Sequence, residues 1–82
     1  MEETKIALVG ILVEELDASA KVNALLHGYA GYIVGRMGIP YRQKGVSVIS
    51  VVLDAPRDVI SALAGKLGMI GGISVKTVIT KS

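Results

Sequence analysis

The chain has 82 residues, which suffices for one hydrophobic core, so we expect a single domain over residues 1–82. It contains no cysteine, which excludes disulfides, thiol chemistry and thiolate zinc sites and favours a reducing, cytoplasmic location. The net charge of +2 comes without a long basic block, so nucleic-acid binding is not indicated.

The first element is an apolar segment. Residues 5–14 are rich in β-branched side chains and are too few for a typical helix, which predicts a strand. The longest uninterrupted apolar run, residues 6–13, is far shorter than the about 20 residues that a membrane-spanning helix requires. We therefore expect no membrane segment.

An amphipathic helix follows this strand. Asp17 is of a type that caps helix N-termini, and Gly28 is of the type that ends helices. The apolar side chains between them fall at helical spacing and predict one buried stripe. Residues 32–41 then contain two glycines and Pro40, which favours an irregular strand at the edge of a sheet. The stripe consists of Val22, Leu25, Leu26 and Tyr29.

The second half of the chain predicts another strand, helix and strand. Residues 46–53 form the third strand, and Asp54 and Pro56 indicate a helix start, with Asp58 near the positive end of the helix dipole. Residues 73–80 alternate and predict the last strand. The stripe of the second helix consists of Val59, Ile60, Leu63, Leu67 and Ile70.

This βαββαβ order predicts an α+β, ferredoxin-like fold with an antiparallel four-stranded sheet and two helices on one face. Right-handed crossovers place the first and third strands in the centre. Both faces of these two strands are apolar, although a half-solvated sheet should alternate apolar and polar side chains. A second copy of the chain would cover the bare face, so we expect a homo-oligomer, either a dimer or a tetramer. The expected interface residues are Ile6, Leu8, Val9, Ile11, Val48, Ile49 and Val51.

Side chains that could support catalysis are few. The single imidazole, His27, falls opposite the apolar stripe of its helix, and the acids of residues 14–17 lie where acids serve caps and helix dipoles. The glycines of residues 65–72 follow a helix, whereas phosphate-binding loops precede one. We therefore predict no catalytic residue and a protein that is not an enzyme.

Arginine and tyrosine side chains collect around the predicted second strand. Arg36 and Arg42 offer bidentate donors, and Tyr41 offers a stacking face, as a small anionic ligand requires. Together with His27 they are the candidate ligand-binding residues. The simpler alternative is that these charges and Pro40 protect a sheet edge against unwanted pairing.

Four segments together resemble one family: residues 22–27 (VNALLH), 36–42 (RMGIPYR), 62–68 (ALAGKLG) and 72–78 (GISVKTV). They are similar to the small regulators of the iron-only hydrogenase system, over essentially the whole chain. The resemblance implies an ACT-like fold, similar to the effector domain of the nickel-responsive transcriptional regulator, and association through the sheet. Only His27 falls roughly where a nickel ligand of that regulator would lie, so we expect no metal site.

Two hypotheses of function follow. The first is a cytoplasmic regulatory or effector-sensing module, linked to the iron-only hydrogenase system, whose oligomer interface forms any binding site. The second is an accessory or structural oligomer that binds a protein partner, for example a hydrogenase maturation factor, and no small molecule. Neither requires direct contact with DNA, so any control of transcription would run through a partner protein. The sequence leaves the effector and any cofactor unknown.

Overall fold

In the computed structural model, residues 3–81 are described; Met1, Glu2 and Ser82, which belong to the predicted domain, lie outside the described residues. The described residues form one four-stranded sheet and two α-helices in the predicted order βαββαβ. The strands are β1 (Thr4–Val13), β2 (Ile33–Tyr41), β3 (Val46–Pro56) and β4 (Ile73–Ile79), and the helices are α1 (Ala18–His27) and α2 (Arg57–Gly68).

The sheet has the strand order β2-β3-β1-β4, and every neighbouring pair is antiparallel. The two central strands, β1 and β3, pair along their whole common length, from Thr4 opposite Pro56 to Val13 opposite Ser47. This arrangement confirms the predicted ferredoxin-like fold and its central strands. No helix within residues 3–81 is long and apolar enough to span a membrane.

One face of the sheet packs against both helices and forms the core. Every second side chain of β1 and of β3 is buried there, as the two-residue period of a strand requires. The helices contribute the other members of the predicted stripes, whereas Tyr29 and Ile70 follow the last residues of α1 and α2 and pack partly buried against the core. The buried residues include Ala7, Val9, Ile11 and Val13 of β1, Ile49, Val51, Leu53 and Ala55 of β3, Val22 and Leu26 of α1, and Ile60, Leu63 and Leu67 of α2.

The third strand is longer than predicted. It continues three residues beyond Leu53 to Pro56, so the predicted helix start at Asp54 is wrong. The reason is that β1 offers a partner to each of these residues, and the methyl group of Ala55 is fully buried in the core. Pro56 ends the strand, where its missing N–H costs nothing, and it precedes α2 as the N-cap.

The start of α1 also differs from the expectation. Asp17 occupies the N-cap position, but its side chain makes no capping hydrogen bond and its backbone is already helical, with φ −59° and ψ −26°. Instead, the turn is closed by the backbone N–H of Ala18, which donates to the carbonyl oxygen of Glu15 at 2.9 Å. The predicted side-chain cap is therefore wrong, although the predicted position of the helix start is right.

Candidate functional site

The second face of the sheet has no helix over it, and we term it the open face. Its side chains alternate with the core residues along each strand, and the strand register aligns them in rows across the sheet. The open face includes Ile6, Leu8, Gly10 and Leu12 of β1, Gly35, Met37, Ile39 and Tyr41 of β2, Val46, Val48, Ser50, Val52 and Asp54 of β3, and Ser74, Lys76 and Val78 of β4.

Large apolar side chains dominate the open face. Those of Ile6, Leu8 and Leu12 on the central strand are 43–46% exposed, and Met37 and Val78 on the edge strands are 59% and 66% exposed. A sheet face that meets water normally carries polar side chains, and a contiguous apolar patch of this kind typically marks an interaction site. The open face is therefore the candidate functional site.

The structure divides the residues predicted for the oligomer interface into two groups. Ile6, Leu8 and Val48 lie on the open face, and their role in an interface stays a prediction. The side chains of the other four are at most 6% exposed and lie in the core beneath the helices, so they do not face a second copy and their assignment to the interface is wrong. Successive strand residues point to opposite faces of the sheet, and the predicted set includes residues of both faces. These four are Val9, Ile11, Ile49 and Val51.

The predicted interface omits several apolar members of the open face. Leu12 and Val52 belong to the same apolar alternating sets as Leu8 and Val48, so strict two-residue spacing places them in the interface as well. Met37 and Ile39 were obscured by the glycines around them, which made β2 look irregular. The two-residue alternation that identifies the open face is thus clear in the central strands and weak in the edge strand β2.

A hollow of about 430 Å³ lies in the middle of the open face. Its floor is the row in which Ser50, Gly10 and Lys76 stand side by side on β3, β1 and β4. Because Gly10 and Ser50 are small, this row forms a depression between the rows of larger side chains on either side. The walls are formed by Leu8 and Val78 on one side and by Leu12 and Val48 on the other.

Arg36 lies on the opposite face of the sheet from this hollow. Its guanidinium group donates a hydrogen bond of 2.7 Å to the side-chain oxygen of Asn23 on α1. The two residues line a shallow cleft of about 290 Å³ between α1 and β2, together with Ser19 and Ser47. Arg36 is thus already engaged by a neutral partner, which leaves some of its donors available at an exposed position.

The other three candidate ligand-binding residues are not gathered around Arg36. Tyr41 and Arg42 line a separate hollow of about 340 Å³, next to Leu16. His27 is the exposed last residue of α1 and lines neither hollow. The structure therefore brings Tyr41 and Arg42 together but does not assemble one site from all four residues.

We expect titration with nickel to show no stoichiometric binding. Among residues 3–81, no group of three or more histidine, cysteine, aspartate or glutamate side chains could hold a metal ion, with or without His27. A nitrogen-ligated metal site normally needs three or four such donors. Calorimetry on the protein and on His27→Ala would measure the affinity and stoichiometry of nickel binding. Tight one-to-one binding that is lost in the variant would contradict the expectation.

Two solved structures at low sequence identity share the fold. The C-terminal domain of the MgtC protein from Mycobacterium tuberculosis is 13% identical, with a TM-score of 0.73 over 99% of this chain and 93% of that one. A formyltetrahydrofolate deformylase from Pseudomonas putida KT2440 is 16% identical, with a TM-score of 0.64 over 89% of this chain but 28% of that one. At these identities the likeness concerns the fold alone.

A relative of higher sequence identity and a family model show more than the fold. A search of curated proteins finds no match. The structure of the uncharacterized protein TM1266 from Thermotoga maritima is 40% identical, covers 96% of this chain and 100% of that one, and has a TM-score of 0.91. The model of the TM1266-like family, whose provisional description is iron-only hydrogenase system regulator, matches residues 5–77. The chain therefore belongs to the TM1266-like family.

Proposed function

We propose that this protein is a non-catalytic regulatory module of the iron-only hydrogenase system that works as a homo-oligomer joined through the open face. The observation that carries the proposal is the apolar character of the open face, whose central side chains remain nearly half exposed in one copy. The family description supports the regulatory part. A regulator of this kind acts by binding and assembly, and the open face is the surface suited to both.

The size of the open face fits a sheet-to-sheet contact. Four strands spaced by about 4.8 Å, each about nine residues long at about 3.3 Å per residue, cover about 600 Å² in each copy. A stable interface buries about 1,200–2,000 Å² over the two partners, so two open faces reach the lower end of this range. Packed sheets in other proteins lie about 10 Å apart with interdigitating side chains, which this face can supply.

The polar side chains support a non-catalytic role. Among residues 3–81, no polar or charged side chain is buried. General acid–base catalysis usually depends on a titratable group that a cleft removes from water and a neighbour orients. The acids and bases within the described residues lack such surroundings, so binding rather than chemistry is the activity that these side chains favour.

Lysine substitutions on the open face test the proposal. We expect Leu12→Lys and Met37→Lys to raise the dissociation constant of the oligomer at least about tenfold, because each would place an unpaired charge in the contact. Met69→Lys is the matched control, since Met69 is 86% exposed and lies in the turn after α2, away from the open face. Sedimentation velocity over a range of concentrations measures the effect, and circular dichroism verifies that each variant is folded.

Two outcomes would contradict the proposal. An unmodified protein that sediments as a monomer at high micromolar concentration would exclude self-association. Equal dissociation constants for Met37→Lys and Met69→Lys would place the contact elsewhere. A monomer whose open face is instead protected by a hydrogenase maturation factor would support the second hypothesis, an accessory protein that binds a partner.

A further inference from the structure

The glycine at the centre of the open face is not required by the backbone. Gly10 lies in the middle of β1 without a positive φ, and a Cβ added there would meet nothing nearer than the carbonyl oxygen of Lys76 at 3.9 Å. Glycine in a strand interior weakens the strand and supplies no side chain to pack. The effect of Gly10 is therefore to keep the hollow open.

The hollow combines apolar walls with one cation. Lys76 stands at the β4 end of its floor and forms no ion pair among the described residues. Asp54 stands four positions from the Gly10 row along β3, which is about 13 Å. The carboxylate of Glu14 is nearer, because it accepts a hydrogen bond of 2.9 Å from the hydroxyl of Ser74, two residues before Lys76 on the same face of β4. Lys76 is thus a positive charge beside an apolar surface, and the nearest acid is already engaged by Ser74.

We propose that the hollow binds a small monocarboxylate with an apolar body, such as a medium-chain fatty acid. The body would lie over Gly10 between the walls of Leu8 and Leu12, and the carboxylate would meet the ammonium group of Lys76. Pockets for small molecules have this composition, with mostly apolar walls and a few polar groups that fix orientation, and this volume. A carboxylate accepts charge-assisted hydrogen bonds from an ammonium group, which are stronger than those between neutral groups.

This inference rests on the proposed regulatory function, for which it supplies an effector, and it is compatible with the proposed assembly. The hollow lies in the middle of the open face, so in the proposed oligomer a bound carboxylate would be enclosed between the two copies. A bound carboxylate would also neutralise Lys76, whose charge is costly to cover with an apolar partner. Ligand binding and self-association are therefore expected to favour each other.

Octanoate and octanol are suitable probes, because they share the apolar body and differ in charge. We expect calorimetry to show saturable binding of octanoate and at least about tenfold weaker binding of octanol. In nitrogen-15 NMR spectra, the largest shifts should fall on the amides of Gly10, Ser50 and Lys76. Lys76→Met should remove the preference for octanoate, whereas Lys21→Met, a matched change at an exposed lysine of α1, should leave it intact.

Gly10→Val should abolish binding of both probes, because it fills the hollow while the backbone accepts the side chain. If this variant does not fold, Ser50→Val fills the same row from β3 and serves in its place. Octanoate binding that does not saturate, that is no stronger than octanol binding, or that survives Gly10→Val would overturn the inference. Sedimentation of the ligand-free protein separates the two proposals: an intact oligomer without binding contradicts only the ligand site, and a monomer that binds contradicts only the assembly.

Discussion

Replacing Val9 by aspartate is expected to unfold the protein, whereas the same replacement at the adjacent Leu8 leaves the fold intact. Val9 is 1% exposed and packs beneath the helices, but Leu8 is 46% exposed on the open face. A carboxylate at position 9 would be buried without a partner, which costs at least about 4 kcal/mol and consumes most of the stability of a small domain. At position 8 the carboxylate remains in water.

Circular dichroism and urea unfolding at equal protein concentration would measure this contrast. Leu8→Asp should keep native secondary structure and lose at most about 1 kcal/mol of the protomer's stability, although it should weaken self-association. The assignment of faces would be wrong if Leu8→Asp unfolds and Val9→Asp does not. Comparable unfolding by both variants would indicate that the open face is covered so tightly that the protomer cannot fold without its partner.

The sequence predicted the elements and their order because periodicity is a local signal. The helical stripes around Leu26 and Leu63 and the alternation in β4 each need only one segment to be recognised. The central position of β1 and β3 followed from the handedness of the crossovers and is confirmed. The end of β3 was not predicted, because its pairing with the start of β1 is a contact between distant segments.

The face that each central side chain occupies was harder to predict. In β1 both alternating sets are apolar, so hydrophobicity alone does not distinguish the set of Val9 and Ile11 from that of Leu8 and Leu12. The glycine and serine at positions 10 and 50 offered a weak distinction, since both belong to the set that remains uncovered. The set that becomes buried is the one that packs against the apolar stripes of the two helices, and this packing is a property of the folded molecule.

The proposed ligand residues illustrate a different failure. Arg36 and Tyr41 are five positions apart in one strand, and an odd separation places two side chains on opposite faces. Arg36 accordingly meets α1, and Tyr41 belongs to the open face. Their proximity in sequence predicts one ligand-binding patch, but the alternation of the strand places them on different faces. The hollow of the open face is instead formed by three strands that are distant in sequence.

Gly72→Ala is expected to destabilise the protein by about 2–4 kcal/mol, for two reasons that act together. The backbone of Gly72 has φ 83°, a conformation in which a side chain is strained. An added Cβ would also lie 2.8 Å from the Cβ of Glu15, a contact that neither atom can avoid without moving backbone. The backbone there is held, since the carbonyl oxygen of Gly72 accepts hydrogen bonds from the N–H groups of Glu14 at 2.8 Å and Glu15 at 3.1 Å.

Gly71→Ala is the matched control, because it has no positive φ and a Cβ at this position would meet nothing within 4 Å. We expect its free energy of unfolding to stay within about 0.5 kcal/mol of the unmodified protein. The double variant Glu15→Gly with Gly72→Ala separates the two causes: removing the Cβ of Glu15 relieves the close contact but not the strain of the left-handed backbone. In urea unfolding, Gly72→Ala should therefore destabilise the Glu15→Gly variant less than it destabilises the unmodified protein. The remaining loss in the free energy of unfolding should be about 1–2 kcal/mol. Equal stability of Gly72→Ala and Gly71→Ala would mean that the two turns are not locked together, and the joint between the β1–α1 and α2–β4 connections would have to be looser than these hydrogen bonds indicate.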